Sequence, residues 1–264
     1  MRQFFFYILI GNLFFLSSCE ETTGGTKESV PPVVPSLSAI QVSFEGLSLN
    51  EKTSNNTQIA YNAARQTASV VDFLQQFELS IVRGTLTLAG GQDPELIADS
   101  EWEWKVVIDD ENEQAVQTRV IAVVGENDVQ WDVFTKSSVP GFPDIELEFK
   151  VLSGTSSFDG NNGVWRVVND FRESTDATIE WEVTDSVSTI DAQFFPFAQT
   201  SPHTTISYTS RGSSKSMDYS NTTVGDVFIS WDDRQRSGFI IQSNLNNGEM
   251  FCWDSSYNDI ACPN

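Results

Sequence analysis

Apolar and polar residues alternate with a period of two from Glu101 to the end of the chain. In the first such segment, Trp102, Trp104 and Val106 alternate with charged residues. A strand with this pattern buries one side in a core and exposes the other side to water. The alternation therefore predicts strands at residues 102–106, 116–124, 129–134, 145–151, 164–168, 179–183, 189–194, 205–208, 215–219, 227–231, 238–242 and 249–253.

Short stretches rich in Asp, Asn and Gly separate these segments, as at residues 159–163 and 246–248. Such turns join neighbouring strands of an antiparallel sheet. We therefore expect an antiparallel meander of about a dozen strands. Ahead of the meander, the alternation of Ile40, Val42 and Phe44 with polar residues predicts one further short strand.

Residues 57–83 carry the strongest helical period of the chain. Their apolar side chains recur at spacings of three and four residues, which is typical of an amphipathic helix. Asn56 or Thr57 is placed to cap the amino end of this helix, and Gly84 is placed to end it. The side that we predict to be buried consists of Ala63, Thr67, Val70, Leu74, Phe77 and Ile81.

A long sheet with one apolar face must cover that face, and the predicted helix is available to do so. We therefore expect a mainly β fold: a long antiparallel meander that forms a strongly curved sheet or incomplete barrel, with one long helix covering the apolar face. Tryptophans in the apolar phase of the strands either fill the core or line a cavity for an apolar ligand. The residues that would line such a cavity are Trp102, Trp104, Trp131, Trp181 and Trp231.

This arrangement resembles the half-open barrels of the bacterial lipoprotein-carrier superfamily, which also combine a long antiparallel sheet with covering helices. The resemblance is one of architecture and involves no shared sequence motif. It implies that the aromatic face of the sheet and the helix enclose a cavity for a lipid or another apolar molecule.

The amino terminus has the features of an export signal. A single arginine precedes an apolar stretch over residues 4–16, which is shorter than the roughly 20 residues that a membrane-spanning helix requires. The stretch ends in Leu16-Ser17-Ser18-Cys19, which resembles the lipobox of bacterial lipoproteins. That resemblance implies cleavage before Cys19 and acylation of this cysteine with fatty acids such as palmitate, which anchor the protein to a membrane.

The chain therefore divides into a signal peptide at residues 1–18, a lipidated cysteine and flexible tether at residues 19–36, and a single β-rich domain at residues 37–264. The tether is rich in Thr, Gly, Ser, Glu and Pro, a composition that cannot build a core. Glu20 and Glu21 resemble the acidic residues that, in some Gram-negative lipoproteins, accompany export to the outer face of the outer membrane. The predicted location is the cell envelope, at the periplasmic or the surface side of the outer membrane.

Two cysteines remain once Cys19 is assigned to the lipid anchor, namely Cys252 and Cys262. In an exported protein such a pair favours a structural disulfide over a metal site, because no histidine lies near it. We predict that the disulfide pins the last residues of the chain against the strand that carries Cys252.

The formal net charge of −22 excludes nucleic acid as a partner, because binding to nucleic acid depends on Lys and Arg that neutralise phosphates. His203 is the only histidine, and no Gly-x-Ser-x-Gly motif accompanies it. We therefore predict no enzymatic activity, no cofactor and no metal site. Two acidic turns leave calcium open as an alternative, namely Asp109, Asp110, Glu111 and Glu113, and Asp159, Asn161 and Asn162.

Two functions follow from this sequence. In the first, a membrane-anchored, non-enzymatic envelope lipoprotein binds a lipid or other apolar ligand in a cavity lined by tryptophans. In the second, the core is filled, and a surface-exposed structural or protein-interaction lipoprotein contacts an envelope protein. The volume enclosed by the tryptophan face separates the two, because small-molecule cavities measure about 300 Å³ or more.

Overall fold

The computed structural model describes residues 30–47, 57–108, 116–139, 142–170, 174–195 and 201–263. These residues form one antiparallel sheet of fourteen strands, in which each strand pairs with the next strand along the chain. The strands are β1 (Glu95–Ala98), β2 (Glu101–Ile108), β3 (Val116–Val124), β4 (Val129–Val139), β5 (Phe142–Ser156), β6 (Asn162–Asn169), β7 (Ser174–Val183), β8 (Ser188–Phe194), β9 (Thr204–Arg211), β10 (Ser214–Asn221), β11 (Gly225–Asp232), β12 (Ser237–Gln242), β13 (Phe251–Trp253) and β14 (Asp259–Ile260).

The predicted meander is confirmed: strands β2 to β13 lie where the alternation of apolar and polar residues predicts them. The sheet is open, with β1 and β14 as its two edge strands. We call the side that carries the tryptophans the buried face and the opposite side the polar face. The sequence did not predict β1 or β14, because β14 has only two residues and all four residues of β1 are exposed and carry no alternation.

The strand predicted from Ile40, Val42 and Phe44 is not formed. A short 3₁₀ helix at Leu37–Ala39 is followed by irregular chain, although Ile40 and Val42 are buried as their apolar character requires. The backbone N–H of Val42 donates to Oε1 of Gln75 at 2.7 Å, so a helix side chain takes the place of a neighbouring strand. This segment therefore belongs to the material that covers the buried face.

The packed part of the chain begins before residue 37. The backbone N–H of Val33 donates to the carbonyl oxygen of Phe158 at 3.3 Å, and Pro32 and Pro35 are buried. A proline-rich segment forms no internal hydrogen bonds, but its apolar rings can still pack against a surface. The last residues of the predicted tether thus contact the domain.

Two helices stand where one was predicted at residues 57–83. Helix α1 spans Ile59–Phe77 and helix α2 spans Ser80–Gly90, with an interruption at Glu78 and Leu79. The prediction that the helix ends at Gly84 is wrong, because this glycine lies inside α2. A helix tolerates an interior glycine at a modest cost in stability. Buried Leu79 marks the interruption, where the chain turns its side chain into the core.

The buried side of α1 also differs from the prediction. Val70 and Phe77, both predicted to be buried, are 46% and 66% exposed. Alanines replace them at the contact, because small side chains let the helix approach the sheet closely. The buried residues of α1 are Ala60, Tyr61, Ala64, Ala68, Val71 and Gln75.

Both helices pack on the sheet. Helix α1 contacts β12, β13 and β14, and α2 contacts β2, β3 and β5. The carboxylate of Asp259 on β14 accepts the backbone N–H groups of Ile59 and Ala60, each at 2.9 Å, and so caps α1. The predicted caps do not serve this role: Asn56 lies outside the described residues, and Thr57 lies one residue before the observed cap position at Gln58.

Glycines on the strands make room for tryptophan rings on the neighbouring strands. Gly154 pairs with Trp131 on one side and with Trp165 on the other. A methyl group at Gly154 would lie 2.6 Å from Cε3 of Trp165 and would also overlap the carbonyl oxygen of Val164. Gly163 stands in the same relation to Trp181.

Replacing Gly154 by alanine is therefore expected to lower the free energy of unfolding by about 1–3 kcal/mol, the usual range for inserting a methyl group into a filled core. Gly84→Ala is the matched control, because no atom lies within 4 Å of its added methyl group and alanine favours the helix. The control should raise stability by up to about 1 kcal/mol. Urea titration followed by circular dichroism measures both, and equal effects of the two substitutions would contradict this packing.

Candidate functional site

The five tryptophans that the sequence nominated for ligand binding are all buried, with at most 8% of any residue exposed. Three of them, Trp104, Trp131 and Trp181, belong to one row of rings on the buried face. The ring centroids are 5.6 Å apart from Trp104 to Trp131. Trp165 stands between Trp131 and Trp181, at 6.0 Å from each. We call these four residues the tryptophan row.

Trp165 is fully buried and was not among the predicted positions. The signal for it was present, because it alternates with the polar Arg166 on β6. Its indole N–H has no hydrogen-bond partner among the described residues. The indole N–H groups of Trp131 and Trp181 donate to Oγ of Ser156 and to the carbonyl oxygen of Gly160, at 2.9 and 3.1 Å.

Trp231 lies apart from this row. Its ring stacks on Phe44 with a centroid distance of 6.4 Å, and the centroid of the Tyr208 ring lies 6.3 Å away. The indole N–H of Trp231 donates to the carbonyl oxygen of Glu45 at 2.9 Å. The irregular segment that follows the first 3₁₀ helix therefore covers this part of the buried face. Burial also raises the pKa of the Tyr208 hydroxyl.

A disulfide joins Cys252 on β13 to Cys262, as predicted. The loop that it closes contains β14 and the helix cap Asp259. Tyr257, in the same loop, stacks on Tyr61 of α1 at a centroid distance of 4.1 Å. The disulfide therefore holds the residues that dock the amino end of α1.

Two cavities open on the polar face of the sheet. The first has a volume of about 510 Å³ and lies over β6, β7 and β8, where Glu180, Glu182 and Asp191 line it. Trp181 is the one nominated tryptophan that borders it. The second cavity has a volume of about 390 Å³ and lies over β9 to β12. The aromatic-lined interior cavity that the sequence left open stays a prediction.

The second cavity combines carboxylates with apolar side chains. Asp218 and Asp226 line it together with Phe228 and Ile241. The ring of Phe228 lies 5.6 Å from that of Phe239, on the neighbouring strand. Desolvation raises the pKa of Asp218. These groups offer both an apolar surface and negative charge to a ligand.

Glu103 lies on the side of β2 that the sequence predicts to be exposed, but only 5% of this residue is exposed. Its carboxylate binds Nζ of Lys105 at 2.7 Å and Nε of Arg119 at 2.6 Å. Arg119 also binds Glu148 at 2.8 Å. Desolvation is the largest influence on the pKa of Glu103 and raises it, but the hydrogen bonds and charges of Lys105 and Arg119 together bring the pKa below its ordinary value.

The stability that Glu103 contributes should therefore depend on pH. Because its pKa is lower in the folded chain, the contribution is complete above the unfolded pKa of about 4.3 and is lost as the pH falls through the lower folded pKa. Glu103→Gln should lower the free energy of unfolding by about 1–3 kcal/mol at neutral pH. Urea titrations of both proteins should show this difference shrinking towards pH 3, and a difference independent of pH would refute the assignment.

The remaining nominated groups lie as follows. Nδ1 of His203 lies 2.5 Å from Oγ1 of Thr222. In the second acidic turn, Oδ1 of Asp159 accepts the hydroxyl of Ser157 at 2.6 Å and the backbone N–H of Asn161 at 3.1 Å. These hydrogen bonds lower the pKa of Asp159 and fit a turn-forming role. Within the described ranges, no three His, Cys, Asp or Glu side chains group as metal ligands.

The first acidic turn, with Asp109, Asp110, Glu111 and Glu113, lies outside the described residues, and so does Cys19. Neither α1 nor α2, the α-helices of the described part, has the length and apolar content that crossing a bilayer requires. Comparison with protein-family models, curated proteins and solved structures finds no match to this chain. The architectural resemblance to lipoprotein carriers therefore stays a prediction.

Proposed function

We propose that this chain is a non-enzymatic lipoprotein of the bacterial cell envelope that binds a partner protein through its surface. The proposal adopts the second of the two functions that the sequence leaves open. Cys19 carries the lipid anchor, and the β-rich domain carries the binding surface. The observation that supports this choice best is the tryptophan row, because its rings occupy the space that an apolar ligand would need.

The packing of that row is continuous. Each ring of the row contacts the next at centroid distances between 5.6 and 6.0 Å, the range in which aromatic pairs attract one another. The glycines opposite Trp165 and Trp181 leave space for these rings and for no further atom. A lipid chain on the buried face would have to displace side chains that are already in contact.

The polar face supports binding at the surface. Both described cavities have volumes within the range of small-molecule and side-chain binding sites. The net charge of −22 keeps such a surface soluble and biases it towards positively charged partners. An envelope protein is therefore a better-matched partner than an anionic lipid surface.

Photo-crosslinking in native cells tests the binding role. Ser207 on β9 is exposed on the polar face, so a photoreactive amino acid at this position should give an adduct with one envelope protein. The same amino acid at Glu126, on the turn after β3, samples a second surface site. If no surface position gives an adduct, the interaction role is wrong.

Metabolic labelling tests the anchor separately. Wild-type protein should incorporate labelled palmitate and lose residues 1–18, whereas Cys19→Ala should stay an unlabelled precursor of full length. Equal labelling and equal size of the two proteins would show that Cys19 is not the acylated residue.

A further inference from the structure

We infer that the polar face of β6 to β12 is a groove that binds an extended, basic segment of a partner protein through its Lys and Arg side chains. This inference rests on the proposed function and names the chemistry of the partner. The two cavities on the polar face are parts of this groove, which we call the acidic groove. It is defined by the lining residues Val164, Glu180, Glu182, Asp191, Ser207, Asp218, Asp226, Phe228 and Ile241.

Strand register joins the two cavities into one surface. Glu180 on β7 pairs with Asp191 on β8, and Asp191 pairs with Ser207 on β9. Ser207 pairs in turn with Asp218 on β10, which pairs with Phe228 on β11. Paired strands lie about 4.8 Å apart, so one row of side chains crosses both cavities without interruption.

The described lining of the groove carries net negative charge. Its lining contains the carboxylates of Glu180, Glu182, Asp191, Asp218 and Asp226, and no Lys or Arg is among the described lining residues. Two of these acids accept hydrogen bonds from serine hydroxyls: Ser207 donates to Asp191 at 2.5 Å and Ser220 to Asp226 at 2.6 Å. On the polar face of β6 to β12, the described cations Arg166 and Arg211 lie outside the lining.

The arrangement is unfavourable for the folded chain alone. Glu180 and Asp191 are directly opposite each other on neighbouring strands, and like charges in such pairs destabilise a sheet. Desolvation, which raises the pKa of Asp218, also disfavours the charged form of this carboxylate in the folded chain. The attraction of a bound cation would offset both penalties.

Aromatic side chains beside the carboxylates define the class of ligand more closely. Phe228 and Phe239 present adjacent rings, and Ile241 lies beside them on β12. Lys and Arg bury an aliphatic stem against apolar surface while their charged end reaches an acid, and their cations are attracted to ring faces. Simple metal ions use only the carboxylates, so the mixed lining favours a basic side chain.

This inference is tested by measuring how a short peptide of alternating arginine and threonine binds to the processed, acylated protein in neutral detergent. An extended chain presents alternate side chains on one side, about 7 Å apart, which is also the spacing of Glu180 and Glu182 along β7. Fluorescence anisotropy should show binding that weakens from about 0.03 M to about 0.3 M salt. The same peptide with glutamate in place of arginine should not bind.

Two double variants distinguish the groove from net charge. Asp191→Asn with Asp218→Asn should weaken peptide binding about tenfold, because two exposed charge contacts are lost. Asp93→Asn with Glu126→Gln removes the same charge from exposed positions elsewhere and should change binding by less than about twofold. The groove variant should also melt at the same temperature as the wild type or higher, since like-charge repulsion is relieved.

Equal weakening by the two double variants, or equal binding of the glutamate peptide, would overturn the groove as a site. The crosslinking experiment separates this failure from failure of the proposed function. Adducts at Glu126 but not at Ser207 would overturn the groove and keep the interaction role. The absence of any adduct would overturn the interaction role itself.

Discussion

Replacing Trp165 by alanine is expected to lower the free energy of unfolding by about 3–5 kcal/mol. Trp165 is fully buried and its ring touches both neighbours in the tryptophan row, at 6.0 Å from Trp131 and from Trp181. Its removal leaves a cavity that Gly154, on the neighbouring strand, has no side chain to fill. A loss of this size is a large part of the stability of a typical domain.

Urea titration followed by far-ultraviolet circular dichroism measures this loss. Phe158→Ala is the matched control, because it also removes an aromatic ring, but from a residue that is 43% exposed. The control should change stability by less than about 1 kcal/mol. Trp165→Phe should fall between the two, since it keeps part of the ring. A Trp165→Ala effect as small as that of the control would mean that the row does not fill the core.

The second large effect is expected at Lys215. This residue is buried on the apolar side of β10, at 5% exposure, and its ammonium group binds the carboxylate of Asp233. Glu45 lies 4.0 Å away but is exposed. Replacing Lys215 by methionine keeps the aliphatic length and leaves Asp233 without its buried partner. The free energy of unfolding should fall by about 3–5 kcal/mol.

A double substitution separates the lost ion pair from lost packing. Lys215→Met combined with Asp233→Leu replaces both charges by apolar groups, which is often neutral or stabilising. The double variant should therefore recover most of the stability that the single variant loses, in the same urea titration. If the double variant loses as much free energy of unfolding as the two single variants lose together, the loss comes from packing and not from the ion pair.

The strands of this protein could be predicted because one face of the sheet meets water. Each strand then alternates, and the alternation survives in the sequence from Trp102 to Trp253. Lys215 shows the limit of that pattern, because it occupies the same phase as the buried Met217 and Tyr219. Only the structure supplies Asp233, the partner that allows a lysine to be buried.

The helices were harder to predict for a physical reason. Phe73 and Phe77 give α1 an apolar side that is stronger in the sequence than the alanine side, yet both are exposed and their rings stack on each other. The sheet selects the alanines of the opposite side because they allow close approach. The periodic spacing of apolar residues identifies an amphipathic helix. It cannot decide whether the side with large apolar residues or the side with small ones packs on the sheet.

The acidic groove was invisible in the sequence for a different reason. Glu180, Asp191 and Asp218 are widely separated along the chain, and only the register of β7 to β10 brings them into one row. In a chain with 37 acidic residues, no spacing marks these three. The cap of α1 by Asp259 depends in the same way on contacts between distant parts of the chain.

Native mass spectrometry of the processed, acylated protein, released from its detergent micelle, tests the claim of a filled core most directly. The expected mass is that of the processed chain with its disulfide and its covalent acyl groups, and nothing more. A stoichiometric lipid that stays bound non-covalently, and that is lost from the Trp165→Ala protein under conditions where this variant is folded, would contradict the account. Such a result would favour the carrier function that the sequence also allowed.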